Sequence, residues 1–111
     1  MIKKNARFPK VISRITQVLA ERYHPDQIIL FGSYASGLAR PDSDIDVLIV
    51  KATDRPFFQR LTDVRRLVSE VRRGYAFEPI VVTPQELRRR LDRGDQFLSG
   101  IIEEGRLLYA K

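Results

Sequence analysis

The sequence predicts an α/β domain in which helices flank a small mixed sheet. Three observations support this fold class. Residues 9–22 carry apolar side chains at the i, i+1, i+4, i+7 and i+8 positions of an amphipathic helix. Residues 27–31 and 47–50 are short apolar runs of the kind that form buried strands. Helical and strand-like segments continue to alternate through the rest of the chain.

The middle of the chain adds a strand and two helices to this pattern. Residues 34–38 are predicted as a short helix and residues 44–50 as the second strand. A second amphipathic helix begins at Phe57 and carries its apolar stripe as far as Val71, with its arginines on the opposite face. Phe57 and Phe58 are predicted to pack in the core.

The C-terminal segment starts with a third strand over residues 75–83. Pro79 lies within it and has no N–H to donate, which predicts an edge position or a break in the ladder. The run Thr83-Pro84-Gln85-Glu86 is typical of a helix cap, with proline at the first helical position and a capping-box acid. Three further elements complete the prediction: a helix over residues 84–93, a helix over residues 95–104 capped by Asp95, and a strand over residues 106–110.

Two polar motifs flank the first two strands. Gly32 and Ser33 follow the first strand, where a glycine allows a ligand to approach the backbone and a helix start presents free N–H groups to an anion. Asp44 and Asp46 open the second strand and point to the same face, about 6.6 Å apart along it. Such a pair indicates either a solvated sheet edge or a site for Mg²⁺, which prefers oxygen ligands. Together the motifs predict a site for a metal–nucleoside triphosphate.

The composition fits one domain over residues 1–111, because a chain of this length leaves no room for a second core. The absence of cysteine excludes disulfides and zinc–thiolate sites, and no apolar run approaches the roughly 20 residues of a membrane span. The N-terminal segment MIKKNARFPK is basic but lacks the apolar core of a signal peptide. We therefore expect a cytoplasmic protein that does not contact a membrane.

The net charge of +6 arises from 20 lysines and arginines against 14 aspartates and glutamates. This balance suits an anionic partner, which can be a nucleotide, a nucleic acid or an acidic protein surface. The plainer interpretation of any single arginine cluster is a solvated helix face. Most aromatic residues are predicted to be core, so no aromatic platform for single-stranded bases is expected.

The stretch GSYASGLARPDSDIDVLIV resembles the nucleotidyltransferase signature of the DNA polymerase β superfamily. In this signature Gly-Ser is followed by ten residues and then by Asp-x-Asp. The chain is most similar to the small, stand-alone minimal nucleotidyltransferases, and the resemblance extends over the later segments FEPIVVTPQEL and FLSGIIEEGRLLYA. It implies the polymerase-β-like nucleotidyltransferase fold.

The resemblance also implies roles for individual residues. Asp44, Asp46 and a third carboxylate, which falls on Glu78, would hold two Mg²⁺ ions, and Gly32 and Ser33 would bind the phosphates of ATP. The family usually has aspartate at the position of Glu78. Many relatives also carry arginine or lysine at Ser36, so a positive charge near the phosphates is missing unless Arg40 supplies it. Arg40 can equally serve to offset its neighbour Asp42, which is itself predicted to cap a turn.

By the same resemblance, the protein would be the antitoxin of a toxin–antitoxin pair. Minimal nucleotidyltransferases are commonly paired with a small helical HEPN protein and adenylylate a tyrosine of that ribonuclease. Two alternatives remain open from the sequence. One is an interaction protein that binds nucleotide or its partner without catalysis, and the other is an enzyme that modifies RNA ends.

Overall fold

The computed structural model describes residues 8–111, and this part of the chain contains five helices and four strands. Their bounds in chain order are α1 Lys10–Arg22, β1 Gln27–Phe31, α2 Ser33–Ser36, β2 Ile45–Val50, α3 Phe57–Val68, β3 Phe77–Val82, α4 Pro84–Asp92, α5 Gln96–Glu104 and β4 Arg106–Ala110. Most of the basic N-terminal segment noted above, residues 1–7, lies outside the described residues. None of the helices in residues 8–111 is long and apolar enough to cross a bilayer.

The four strands form one mixed sheet in the order β3-β2-β1-β4. β1 pairs antiparallel with both β2 and β4, whereas β2 and β3 run parallel and are joined through α3. β3 is therefore an edge strand, which confirms the position predicted from Pro79 and explains why a residue without an N–H is tolerated there. The predicted α/β fold class, a small mixed sheet flanked by helices, is confirmed.

Apolar side chains cover both faces of the sheet, because successive residues of a strand point to opposite sides. On one side, here called the α1 face, Ile45, Val47 and Ile49 pack with apolar residues of α1, α2 and α3. On the other side, the α5 face, Leu48 and Val50 pack with residues of α4 and α5. Asp46 lies between Ile45 and Val47 and so belongs to the α5 face.

Several predicted boundaries differ from the structure. The short helix after β1 is Ser33–Ser36 rather than residues 34–38, because Gly37 adopts a left-handed conformation with φ 84° and ends it. β2 begins at Ile45, so Asp44 lies just before the strand. α3 ends at Val68, earlier than the apolar stripe predicts, and is followed by turns.

The prediction that Phe57 and Phe58 pack in the core is wrong. Their side chains are exposed, with relative accessibilities of 41% and 78%. They contact each other edge to face at 5.3 Å between ring centroids. The buried face of α3 instead follows Arg60, Val64 and Val68 at four-residue spacing, and both phenylalanines lie in the first turn, before this face begins.

Arg60 is buried and ties α3 to the start of α4. Its guanidinium donates to both carboxylate oxygens of Glu86, at 2.7 and 3.0 Å, and to the carbonyl of Arg55 at 2.7 Å. Glu86 also completes the predicted capping box, which is confirmed: it accepts from the Thr83 N–H at 2.9 Å and donates its own N–H to the Thr83 hydroxyl at 3.0 Å. The hydrogen bond from Arg60 is the main reason that the pKa of Glu86 is lowered to about 2.

Replacing Glu86 by glutamine should therefore lower the free energy of unfolding by about 1–2 kcal/mol near neutral pH. Solvent screening limits the effect, because 37% of the Glu86 side chain is exposed. The pKa of Glu86 is depressed on folding, so its stabilisation is present above its ordinary pKa of 4.5 and is lost as the pH falls toward about 2. Urea unfolding of parent and variant over this pH range measures the difference.

Glu70→Gln is the matched control for this prediction. Glu70 forms an ion pair with Arg73 at 2.7 Å, but both side chains are about four-fifths exposed, at 82% and 78%. Its loss should change stability by less than about 0.5 kcal/mol. Equal stability losses in the two variants would show that the Arg60–Glu86 pair contributes no more than a surface pair.

Candidate active site

Gly32, Asp46 and Glu78 lie at one end of the strands, and Asp46 and Glu78 share the α5 face of the sheet. Phe31, the last residue of β1, is the register partner of Asp46, and Asp46 is the register partner of Glu78. Neighbouring strands lie about 4.8 Å apart, so Gly32, Asp46 and Glu78 stand side by side. Glu78 shares its face with Ile80 and Val82, which pack in the core of the α5 face.

Gly32 is required at its position for two independent reasons. Its φ of 76° lies in the left-handed region that favours glycine. A Cβ atom built on it would overlap the Oδ2 oxygen of Asp46. The backbone of the turn between β1 and α2 therefore lies directly against the Asp46 side chain, and only glycine permits this approach.

The carboxylates around Gly32 form a strongly negative region. Asp46 is half-buried, while Asp44 and Glu78 are exposed. Burial, together with the negative charges of Asp44 and Glu78, raises the pKa of Asp46 from its ordinary 3.8 to about 6. Bringing a cation here would relieve this repulsion.

Glu78 has a partner that the sequence did not indicate. The guanidinium of Arg65, on α3, lies 3.5 Å from the Glu78 carboxylate and donates to the carbonyl of Phe77 at 3.0 Å. About half of each side chain in the ion pair is exposed, so the contact contributes little to stability. It does restrain the direction of a long side chain on the edge strand.

The described residues contain no group of three or more histidine, cysteine, aspartate or glutamate side chains that could hold a metal ion. The three predicted carboxylates thus share one end of the sheet without converging on a common point. Their chemistry fits Mg²⁺, because carboxylate oxygens are its preferred protein ligands. The assignment of Asp44, Asp46 and Glu78 as metal ligands stays a prediction.

Arg40 lies in the turn that leads to β2. Its N–H donates to the Ser43 hydroxyl at 2.7 Å, and the Ser43 N–H donates back to the Arg40 carbonyl at 2.9 Å. Ser43, and not Asp42 as predicted, therefore closes this turn. The exposed Arg40 side chain borders a cleft of about 730 Å³ that it shares with Tyr34 and Tyr75. The contact of Arg40 with phosphate and its pairing with Asp42 both stay predictions.

A different arginine lies next to Ser36, where the resemblance found in the sequence implies a positive charge near the phosphates. Arg106, the first residue of β4, donates from Nε to the carbonyl of Ala35 at 2.9 Å. Ala35 immediately precedes Ser36, and a cleft of about 340 Å³ between α2 and α5 extends from here to Gly32. Sequence reasoning missed Arg106 because 71 residues separate it from Ala35.

The fold and the glycine turn beside Asp46 agree with the resemblance found in the sequence. Residues 12–109 match the family model for the nucleotidyltransferase domain. The chain therefore belongs to this family and is an enzyme of the minimal nucleotidyltransferase kind, which confirms the resemblance found in the sequence.

Three archaeal proteins are similar to this chain. Two proteins of Methanocaldococcus jannaschii, each named "putative protein adenylyltransferase", are 32% and 31% identical to it. The matches cover 90% and 89% of this chain, and 96% and 69% of those proteins. A crystal structure of a "putative nucleotidyltransferase" from Sulfolobus solfataricus aligns with a TM-score of 0.50 at 21% identity, covering 96% of this chain and 93% of the other. That likeness shows the shared fold.

Proposed function

We propose that this enzyme transfers AMP from ATP to a hydroxyl group of a protein, with Asp44, Asp46 and Glu78 as its catalytic residues. The observation that carries the proposal is the contact of the Gly32 turn with Asp46, with Glu78 in register on the next strand. Phosphate binding at this turn and metal binding by the neighbouring acids would together hold one Mg²⁺–triphosphate. The names of the two Methanocaldococcus relatives support a protein acceptor.

Different residues of the site would bind the phosphates, bind the metal ions and accept the proton. The backbone at Gly32 and the hydroxyl of Ser33 hold the β- and γ-phosphates. Asp44, Asp46 and Glu78 would provide oxygen ligands for two Mg²⁺ ions, and bound Mg²⁺ would supply positive charge to stabilise the leaving pyrophosphate. The acceptor oxygen bonds to the α-phosphorus as the bond to pyrophosphate breaks, and the hydroxyl proton passes to the carboxylate of Glu78.

The acceptor must reach Glu78 from outside the chain. Glu78 and Asp44 are both exposed, so the reacting end of the site opens to solvent and admits a macromolecule. We propose a tyrosine of a HEPN-type toxin as this acceptor, which would make the enzyme an antitoxin. The net charge of +6 would speed the encounter with an acidic surface, and it favours RNA as a second candidate acceptor.

Incubation with ATP labelled at the α-phosphate, Mg²⁺ and a HEPN-type partner tests the acceptor. We expect the label in protein, on a tyrosine of the partner, with the mass increase of one adenylate group. Label that is destroyed by ribonuclease and resists protease would instead establish an RNA acceptor. A stable complex in which the partner is neutralised without label would show a binding antitoxin and contradict the proposal.

A further inference from the structure

We infer that Phe97 is the stacking surface for the base of the bound nucleotide. This rests on the proposed function, which places the triphosphate at Gly32 and Ser33. Phe31 pairs in register with Asp46 and packs with the core of the α5 face. The ring of Phe97, in the first turn of α5, meets the ring of Phe31 edge to face, at 5.8 Å between centroids and 87° between planes. Phe97 thus contacts the residue of β1 that pairs with Asp46.

Phe97 does not contribute to the hydrophobic core. Its side chain is 54% exposed, and neither of the two core clusters in the described residues includes it. An aromatic ring that is fixed but open on one side offers a flat apolar surface to a ligand. Every nucleobase has a π-face that can use such a surface.

The turn that carries Phe97 is held rigidly. One carboxylate oxygen of Asp95 accepts from the Leu98 N–H at 2.9 Å and caps α5, while the other accepts from Arg90 Nε at 2.9 Å. Leu98, the next residue, is fully buried. The ring is therefore oriented before any ligand arrives, which lowers the entropic cost of stacking.

Phe58 provides a matched control. It is even more exposed than Phe97, at 78%, and it also contacts a second phenylalanine edge to face. It belongs to α3, however, which packs on the α1 face rather than on the face of Asp46 and Glu78. Substitutions at Phe58 reproduce the loss of an exposed ring without affecting the proposed base site.

Tryptophan substitution gives a direct optical test, because the chain contains no tryptophan of its own. In Phe97→Trp the single indole should be quenched on addition of Mg²⁺–ATP and unaffected by Mg²⁺–tripolyphosphate, which carries no base. In Phe58→Trp neither ligand should change the emission. Equal responses of the two variants to ATP, or a response of Phe97→Trp to tripolyphosphate of the same size, would overturn the inference.

Affinity measurements complete the test. Phe97→Ala should weaken ATP binding by about 5- to 100-fold while the affinity for tripolyphosphate stays unchanged, and Phe97→Tyr should restore ATP binding. ATP affinity equal to that of the parent, or an equal loss for both ligands, contradicts a stacking role. A parent chain that binds neither ligand overturns the proposed function together with this inference, whereas a parent that binds ATP unaltered by Phe97→Ala overturns the inference alone.

Discussion

Replacement of both Asp44 and Asp46 by asparagine is expected to abolish AMP transfer. The double change removes two of the three carboxylates proposed to hold Mg²⁺. Without bound Mg²⁺, no positive charge would stabilise the leaving pyrophosphate. Ligand binding should fail as well. ATP should raise the melting temperature of the parent only when Mg²⁺ is present, and the double variant should lose most of this shift. Thermal unfolding with and without Mg²⁺, beside a transfer assay, measures both effects.

Asp42→Asn is the control for this prediction. Asp42 is an exposed acid only two residues from Asp44, and the turn around it is closed by Ser43. Its variant should transfer AMP at close to the parent rate. In the absence of ligand, the double variant should be at least as stable as the parent, because no negative charge is then half-buried at position 46 or repelled by its acidic neighbours. Transfer at the parent rate in the double variant would refute the assignment of the site.

The second large effect is expected at Glu78. Glu78→Gln should leave Mg²⁺–ATP binding within a few-fold of the parent while kcat falls by about 10²- to 10⁴-fold. The separation is expected because the proposed acceptor end is at Glu78, one strand beyond Asp46, whereas the phosphates are proposed to bind at Gly32 and Ser33. Isothermal titration with ATP and steady-state transfer kinetics measure binding and catalysis separately.

Glu78→Asp tests the same assignment with the carboxylate kept, because aspartate is the usual residue of the family at this position. We expect it to retain or increase activity. Glu103→Gln, which changes an exposed acid of α5, should have no effect. If Glu78→Gln transfers AMP as fast as the parent, the third carboxylate of the reaction lies elsewhere in the chain.

The fold could be predicted from the sequence where local signals suffice. β1 and β4 have the predicted bounds, and the capping box at Thr83 and Glu86 has the predicted contacts. Where distant contacts override local periodicity, the prediction fails. The apolar stripe of α3 does not show that Arg60 is buried, because the Glu86 carboxylate that compensates its charge comes from another helix.

The candidate site could be predicted as a set of residues but not as a geometry. The spacing of Gly32 and Ser33 from Asp44 and Asp46 identifies the motif, but it does not give the distances between these residues in the folded chain. Asp46 lies against Gly32 because of the register between β2 and β1, and this register is a property of the folded sheet. Arg65 contacts Glu78, and Phe97 contacts Phe31, through tertiary packing, so no pattern near either residue indicates its position.

The proposed reaction is transfer of the nucleotidyl group of ATP at this site, with pyrophosphate leaving. Parallel reactions with ATP labelled at the α- or the γ-phosphate test this reaction. We expect that only the α-label enters the acceptor, that the γ-label is recovered as pyrophosphate, and that Asp44→Asn with Asp46→Asn prevents both. Transfer of the γ-label to the acceptor, or label transfer that survives in the double variant, would contradict it.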